Sequence, residues 1–183
     1  MKRFRTRRRR PKGRGKPKGG KFEREICKKL SLWITNGDKE DCLWRSAISG
    51  GRATVAHRKG KEVRQGGDIC SVSPEGHQLT DHWFIECKNV QRLYLDQWLI
   101  KGTGLFSKFW MKCRNEAKRH GRAPVIIAKQ NGWPTLIIGP TDLLLHIKDA
   151  APILSTEYIS IWVFDEVVIW PWKIIIDARA IST

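Results

Sequence analysis

The 183-residue sequence contains no uninterrupted apolar run of the roughly 18 residues that a membrane-spanning helix needs. Its basic first twenty residues are also not followed by the apolar segment of about 7–15 residues that a secretory signal requires. We therefore expect a soluble protein that acts in the cytoplasm and does not engage a membrane.

Paired cysteines are absent as well. The five cysteines are widely spaced and include no CxxC pair, and the five histidines form no HxxxH or HNH pattern. This distribution argues against a disulfide scaffold and a zinc site. We expect the cysteines to be small buried residues in a reducing compartment. They are Cys27, Cys42, Cys70, Cys87 and Cys113.

The first twenty residues lack acidic side chains and contain eleven of the 35 lysines and arginines. Because they account for +11 of the net charge of +17, the remainder of the chain carries +6. Lysine and arginine release counterions from phosphates, so nucleic acid is the expected partner, and a solubilising or membrane-surface tail is the alternative. Residues 1–20 have little to bury and should be disordered until a partner binds. The densest cluster is Arg7, Arg8, Arg9 and Arg10.

Hydrophobic periodicity begins at Phe22, where apolar residues recur at helical spacing as far as Trp33. This stripe predicts an amphipathic helix that ends near Asn36-Gly37, with a strand following over residues 42–48. Residues 49–67 are basic, bounded by glycines and without clear period, which indicates a long exposed loop.

The second half of the chain alternates between strand and helix patterns. A hairpin is predicted from Gly67 to Val90, with its turn at Pro74–His77, and a helix over Leu105–His120 that ends at Gly121. Asn131-Gly132 predicts a second hairpin, Thr141 could cap a short helix over 142–147, and the last thirty residues predict one or two strands broken at Pro171. The order predicts an α/β or α+β fold, a mixed sheet flanked by helices.

Three charged residues can converge within this pattern. Side chains alternate along a strand, so Glu86 and Lys88 share one side, and the predicted hairpin can bring Asp68 to the same point. Two carboxylates form a hard oxygen site suited to Mg²⁺ or Mn²⁺, and a neighbouring lysine can orient water or stabilise charge on a phosphate. The alternative is a solvated cross-strand ion pair.

These elements resemble archaeal-type Holliday junction resolvases of the PD-(D/E)xK nuclease superfamily. The resemblance spans about residues 18–148 and is carried by "GGKFERE", "RSA", "GDI", the "IECK" strand, the helix after it and "APVIIA". It implies a restriction-endonuclease-like α/β fold, a homodimer and hydrolysis of four-way or otherwise branched DNA. Asp68 and Glu86 would bind the metal with Glu23 completing its shell, Lys88 would position water, and Ser46 matches a serine near the catalytic loop.

The helical pattern helps to decide which acid of "ERE" matters. At about 100° per residue, Glu23 falls at the border of the apolar stripe that starts at Phe22, whereas Glu25 points away from it. A carboxylate at that border is costly without a cation or metal nearby, so Glu23 is the better third acid. A first-turn glutamate favoured by the helix dipole is the alternative.

The chain also departs from the family's pattern. Gly67 stands where the superfamily has a proline, the basic loop is long for the family, and residues 151–183 lie outside the resemblance. We expect a nuclease domain over residues 21–150, with 151–183 adding edge strands or a dimer surface. The predicted DNA contacts beyond the N-terminal cluster are Arg45, Arg52, His57, Arg58, Lys59, Lys61 and Arg64.

Two other functions are compatible with these residues. A restriction or repair nuclease of the same superfamily would share the site and differ in its DNA substrate. A DNA-binding or packaging protein would use the acids only structurally, and would bind DNA without cleaving it.

Overall fold

A computed structural model describes residues 15–46, 66–140, 161–163 and 167–171. Within them a five-stranded sheet has the order β3-β4-β5-β7-β6, and β1 and β2 form a separate antiparallel pair. The elements are α1 (Gly15–Ile34), β1 (Leu43–Arg45), β2 (Ile69–Ser71), α2 (Pro74–Thr80), β3 (Trp83–Val90), α3 (Leu95–Lys101), α4 (Leu105–Arg119), β4 (Ala123–Gln130), β5 (Leu136–Pro140), β6 (Ile161–Val163) and β7 (Val167–Pro171).

The large sheet is mixed, as predicted. β3 pairs with β4 in parallel, because α3 and α4 connect them, and all other pairs in this sheet are antiparallel. The C-terminal strands extend the sheet, since β7 pairs with β5. The predicted α/β fold, with a mixed sheet flanked by helices and extra C-terminal strands, is confirmed and matches a restriction-endonuclease-like fold.

Two apolar clusters cover the two faces of β3 and β4. On one face α1 packs Phe22, Ile26 and Leu30 against a cluster that includes Ile85. On the other face Phe84 joins a cluster built largely from α3 and α4, including Trp98 and Phe106. The alternation predicted for β3 is therefore present, and it assigns Glu86 and Lys88 to the face of α4.

All five cysteines are buried and free, as expected. None of the helices in the described part of the chain combines the length and apolar character needed to cross a membrane.

Local chemistry correctly predicted several boundaries. α1 ends before Asn36 and Gly37, which both have positive φ, and α4 ends before Gly121 at φ +61°. β4 and β5 form the hairpin predicted at Asn131-Gly132, whereas the residues after Pro171 lie outside the described part of the chain. In each case a glycine or asparagine sets a backbone conformation that the regular element cannot continue.

The predicted hairpin between Gly67 and Val90 is wrong. Residues Pro74–Thr80 form helix α2 rather than a turn, and β2 pairs with β1 instead of β3. Pro74 suits the first turn of a helix. Gly76 serves close packing here, because a Cβ on it would lie 2.6 Å from the Ser71 Oγ and 2.7 Å from the Cys42 carbonyl oxygen.

The helix predicted from Phe22 extends back to Gly15, so residues 15–20, which we expected to be disordered, are helical. The division into a tail over residues 1–20 and a nuclease domain over residues 21–150 stays a prediction. Several other predictions lie outside the described residues. These are the order of residues 1–14, the helix over 142–147, most of the 151–183 extension, and the DNA contacts at Arg7, Arg8, Arg9, Arg10, Arg52, His57, Arg58, Lys59, Lys61 and Arg64.

Candidate active site

The candidate site lies along β3, an edge strand of the large sheet. Just before β2, Asp68 approaches this edge and donates its backbone N–H to the Ile85 carbonyl oxygen at 2.8 Å. The Cys87 N–H in turn donates to the Asp68 carboxylate Oδ2 at 2.8 Å. These two hydrogen bonds, one donated by Asp68 and one by Cys87, hold Asp68 beside Glu86. No hairpin between β2 and β3 is needed.

Gly67 makes this approach possible. Its φ is +82°, and a Cβ there would lie 2.4 Å from the Ile85 carbonyl oxygen, the atom that accepts the Asp68 N–H. Proline is restricted to φ near −65°, so it could not adopt this conformation. Gly67 therefore adopts a conformation that a proline at this position would not allow.

Asp68, Glu86 and Lys88 come together in the folded chain. The Lys88 ammonium contacts the Glu86 carboxylate and lies 3.7 Å from Asp68 Oδ2. It is also 3.4 Å from the Cys87 carbonyl oxygen, and 5.6 Å from the centroid of the Phe109 ring. The side chains of Asp68 and Glu86 are only 15% and 8% exposed, so the arrangement is not the solvated ion pair considered as the alternative.

Burial and like charge control the titration of this cluster. Burial, together with the adjacent Glu86 carboxylate, raises the pKa of Asp68 to about 6, although Lys88 and the Cys87 N–H favour its ionised form. For Lys88, burial acts to lower the pKa, but Glu86 and Asp68 together outweigh it and raise the pKa. Lys88 is thus a stable cation that faces two carboxylates, one of which ionises at a cost.

This cost predicts that the Asp68→Asn variant is more stable than the wild type above pH 6. Between pH 3.8 and about 6 the folded state binds a proton at Asp68 that the unfolded chain has released, so wild-type stability falls as the pH rises. Urea unfolding in chelator at pH 8 should show a gain on the order of 2 kcal/mol for the variant. At pH 4 the gain should vanish.

The exposed Asp41→Asn substitution is the control for this prediction and should change stability little at either pH. An equal effect of Asp68→Asn at pH 4 and pH 8 would show that the Asp68 carboxyl does not titrate in this range.

Glu23 lies at the border of the α1 apolar stripe, as the helical pattern predicted. Its side chain is 15% exposed and accepts a hydrogen bond from the Arg45 guanidinium. Its negative charge makes a small contribution to the raised pKa of Asp68. Glu25 points outward and pairs with Lys29 at 2.9 Å, so the structure distinguishes the two acids as expected.

Arg45 and Ser46 follow one another beside Asp68. The Arg45 guanidinium, predicted as a DNA contact, is bound to Glu23 and would lie 3.5 Å from a Cβ on Gly20. Ser46 is buried, and its backbone N–H donates to the Asp68 carbonyl oxygen at 2.9 Å. Ser46 therefore secures the main chain of the aspartate, while a role for its hydroxyl stays a prediction.

The residues present fit a hard divalent cation. The Asp68 and Glu86 carboxylates and the Cys87 carbonyl oxygen all lie near the Lys88 ammonium, so a positive charge is already accommodated between these oxygens. Mg²⁺ uses few protein oxygens and keeps several waters. Within the described part of the chain no three acidic, histidine or cysteine side chains form a metal-binding group, and the carboxylate of Glu23 is bound by Arg45.

Sequence reasoning missed two features of this region. The first is the Glu23–Arg45 pair, which joins residues 22 positions apart. The second is a cleft beside the far end of β3, lined in part by Arg92, Tyr94 and Trp133. The only sequence signal for the cleft was an aromatic residue directly after the Asn131-Gly132 turn.

A mixed sheet with buried Asp, Glu and Lys at one edge defines a nuclease of the PD-(D/E)xK type. The family model for phage putative PDDEXK endonuclease matches residues 14–168, and the chain belongs to that family. No curated protein and no solved structure matched the chain.

Proposed function

We propose that this protein is a divalent-metal-dependent DNA endonuclease that acts on branched DNA in the manner of a Holliday junction resolvase. The observation that carries the proposal is the buried cluster of Asp68, Glu86 and Lys88 at the edge of β3. A buried carboxylate whose ionisation is costly, as at Asp68, is expected where it serves chemistry. The preference for branched DNA is supported by the resemblance alone.

In this proposal Asp68 and Glu86 hold Mg²⁺ or Mn²⁺ together with the Cys87 carbonyl oxygen. The metal ion would supply activation of water and neutralisation of charge on the phosphate. Lys88 points its ammonium at the same place and orients the attacking water or stabilises the charge that develops on the phosphate. The water oxygen bonds to phosphorus and loses a proton to bulk water as one P–O ester bond breaks, and the departing oxygen takes up a proton from bulk water. Glu23, held by Arg45, would support the metal shell.

Resolution of a four-way junction requires two symmetric nicks, so the proposal includes a homodimer with one site per protomer. The basic N-terminal residues, among them Arg7, Arg8, Arg9 and Arg10, would hold DNA through its phosphates and make binding strongly salt-dependent. The basic loop that contains Arg52, Arg58, Lys59, Lys61 and Arg64 would contact DNA near the branch. We expect the protein to act in the cytoplasm of a phage's host cell.

The test compares cleavage of a labelled four-way junction with cleavage of its matched linear duplex, in Mg²⁺ and in chelator. The proposal expects paired symmetric nicks in the junction alone, lost with chelator and in the Asp68→Ala variant. Glu23→Gln should reduce cleavage, whereas the matched Glu25→Gln on the same helix should not, because Glu25 points outward.

Other outcomes lead to the alternative functions. If the linear duplex is cleaved as fast as the junction, the proposed active site stands but the preference for branched DNA is wrong. The protein would then be a restriction or repair nuclease. Tight binding of both DNAs by folded wild-type protein without cleavage would overturn the enzyme and favour a DNA-binding or packaging protein.

A further inference from the structure

A cleft of about 900 Å³ lies where β3 and β4 end and α3 begins. Val90, at the end of β3, and Gln130 and Asn131, at the end of β4, line one part of it. Arg92, Tyr94 and Trp133 also line the cleft. The cleft is separate from the carboxylate cluster, and the chemistry described above does not use it.

The walls of the cleft combine exposed aromatic rings with cations. Trp133 is 49% exposed just after the β4–β5 turn, so it presents a large flat ring to solvent. The Arg92 guanidinium lies 4.9 Å from the centroid of the Tyr94 ring. At the β4 side the Lys18 ammonium donates to the Asn131 side-chain oxygen at 3.1 Å. Flat aromatic and guanidinium surfaces with nearby cations are what single-stranded nucleic-acid sites use to stack bases.

The backbone at Tyr94 supports a binding role for this wall. Tyr94 has φ +56° and ψ +44°, the left-handed region that a bulky side chain rarely adopts. Glycine or asparagine would be the ordinary residue at such a position. The chain nevertheless keeps an aromatic ring there, with more than a third of the residue exposed to the cleft and solvent.

The cleft lies next to β3, the strand that carries Glu86 and Lys88. Lys88 and Val90 are two residues apart on β3 and share a face, which places the start of the cleft about 7 Å beyond Lys88 along the strand. A DNA strand with a phosphate at Lys88 therefore has an aromatic pocket within reach of a neighbouring nucleotide.

We propose that this cleft binds an unpaired nucleotide of the DNA substrate, next to the phosphodiester placed at Lys88. The proposal rests on the function proposed above and supplies a physical reason for its substrate preference. Bases inside a continuous duplex are paired and stacked on both neighbours, so they enter a pocket only when extruded. Bases in a flap are already unpaired, and bases at a branch point have lost a stacking neighbour, so both enter at a lower cost. Asp96, which lies 3.6 Å from Arg92, repels phosphate and favours a base at this wall.

The test measures DNA affinity in chelator, so that it does not depend on cleavage. Fluorescence anisotropy compares a labelled duplex carrying a single-stranded flap with a blunt duplex of the same paired sequence, at one fixed ionic strength. Wild type should prefer the flap. Trp133→Ala should weaken flap binding roughly fivefold to hundredfold, the range for losing one stacked base, and leave blunt-duplex binding unchanged.

Two further variants keep the test decisive. Trp44→Ala removes another exposed tryptophan, 59% exposed on β1 and outside the cleft, and should leave the preference unchanged. Tyr94→Asn removes the ring but suits the left-handed backbone, so it should fold normally and still lose the preference. If Trp133→Ala and Tyr94→Asn weaken binding of the flap and blunt DNAs equally, or change neither, the proposed nucleotide-binding role of the cleft is overturned.

The two proposals can fail separately. If the wild type cleaves DNA in Mg²⁺ but does not prefer the flap, the nucleotide-binding role of the cleft is overturned and the proposed endonuclease activity stands. If the wild type prefers the flap, Trp133→Ala loses that preference and no DNA is cleaved, the nucleotide-binding proposal stands and the proposed endonuclease activity is overturned.

Discussion

A Lys88→Met variant is expected to lose DNA cleavage by about a thousandfold, the range for removing a group that positions or transfers a proton in the transition state. Methionine has a similar length but no charge, so the change removes the ammonium that contacts Glu86 and lies 3.7 Å from Asp68. The measurement is the single-turnover cleavage rate in Mg²⁺, with DNA affinity determined in parallel.

Metal affinity separates a catalytic role of Lys88 from a purely structural one. The Lys88 ammonium repels a Mg²⁺ ion bound by the neighbouring carboxylates. Removing it in Lys88→Met should therefore not weaken Mg²⁺ binding, measured by calorimetry, even though cleavage falls. The control is Lys112→Met, which removes an exposed lysine of α4 that pairs with Glu116 at 3.7 Å. Cleavage by Lys88→Met at the wild-type rate would show that the lysine only balances the charge of the two carboxylates.

Local patterns in the sequence predicted the elements that local physics determines. The apolar stripe of α1 and the Asn131-Gly132 turn each depend on residues close together in the chain, and both were read correctly. α2 was missed because it has seven residues and carries Gly76, whose missing side chain is required by packing against Ser71 and Cys42. A glycine inside a short segment has the same appearance whether it turns the chain or admits a neighbour.

The functional roles of the candidate residues stay predictions, and only their placement can be compared with the sequence. Alternation along β3 was sufficient to place Glu86 and Lys88 together. The position of Asp68 depends on hydrogen bonds with Ile85 and Cys87, which are distant in sequence and leave no periodic signal. For the same reason the pairing of Arg45 with Glu23 could not be anticipated.

The second large effect is expected at Gly67. Gly67→Ala should destabilise the protein by about 2–4 kcal/mol, because the new Cβ meets the Ile85 carbonyl oxygen at 2.4 Å and the left-handed backbone is unfavourable for alanine. Because that oxygen also accepts the Asp68 N–H, relief of the clash must displace Asp68 from Glu86. Cleavage should therefore fall in whatever fraction of the variant still folds. Urea unfolding gives the loss of stability, and cleavage per folded molecule gives the loss of alignment.

Gly37→Ala is the matched control for this effect. Gly37 has φ +90°, close to the +82° of Gly67, but nothing lies within 4 Å of the Cβ that alanine would add. It should cost only the conformational penalty of about 1 kcal/mol, and leave cleavage per folded molecule unchanged. The difference between the two variants measures the contact with Ile85 separately from the backbone conformation. Equal losses in both would mean that Gly67 is needed for its φ alone, and that the approach of Asp68 to β3 tolerates a side chain.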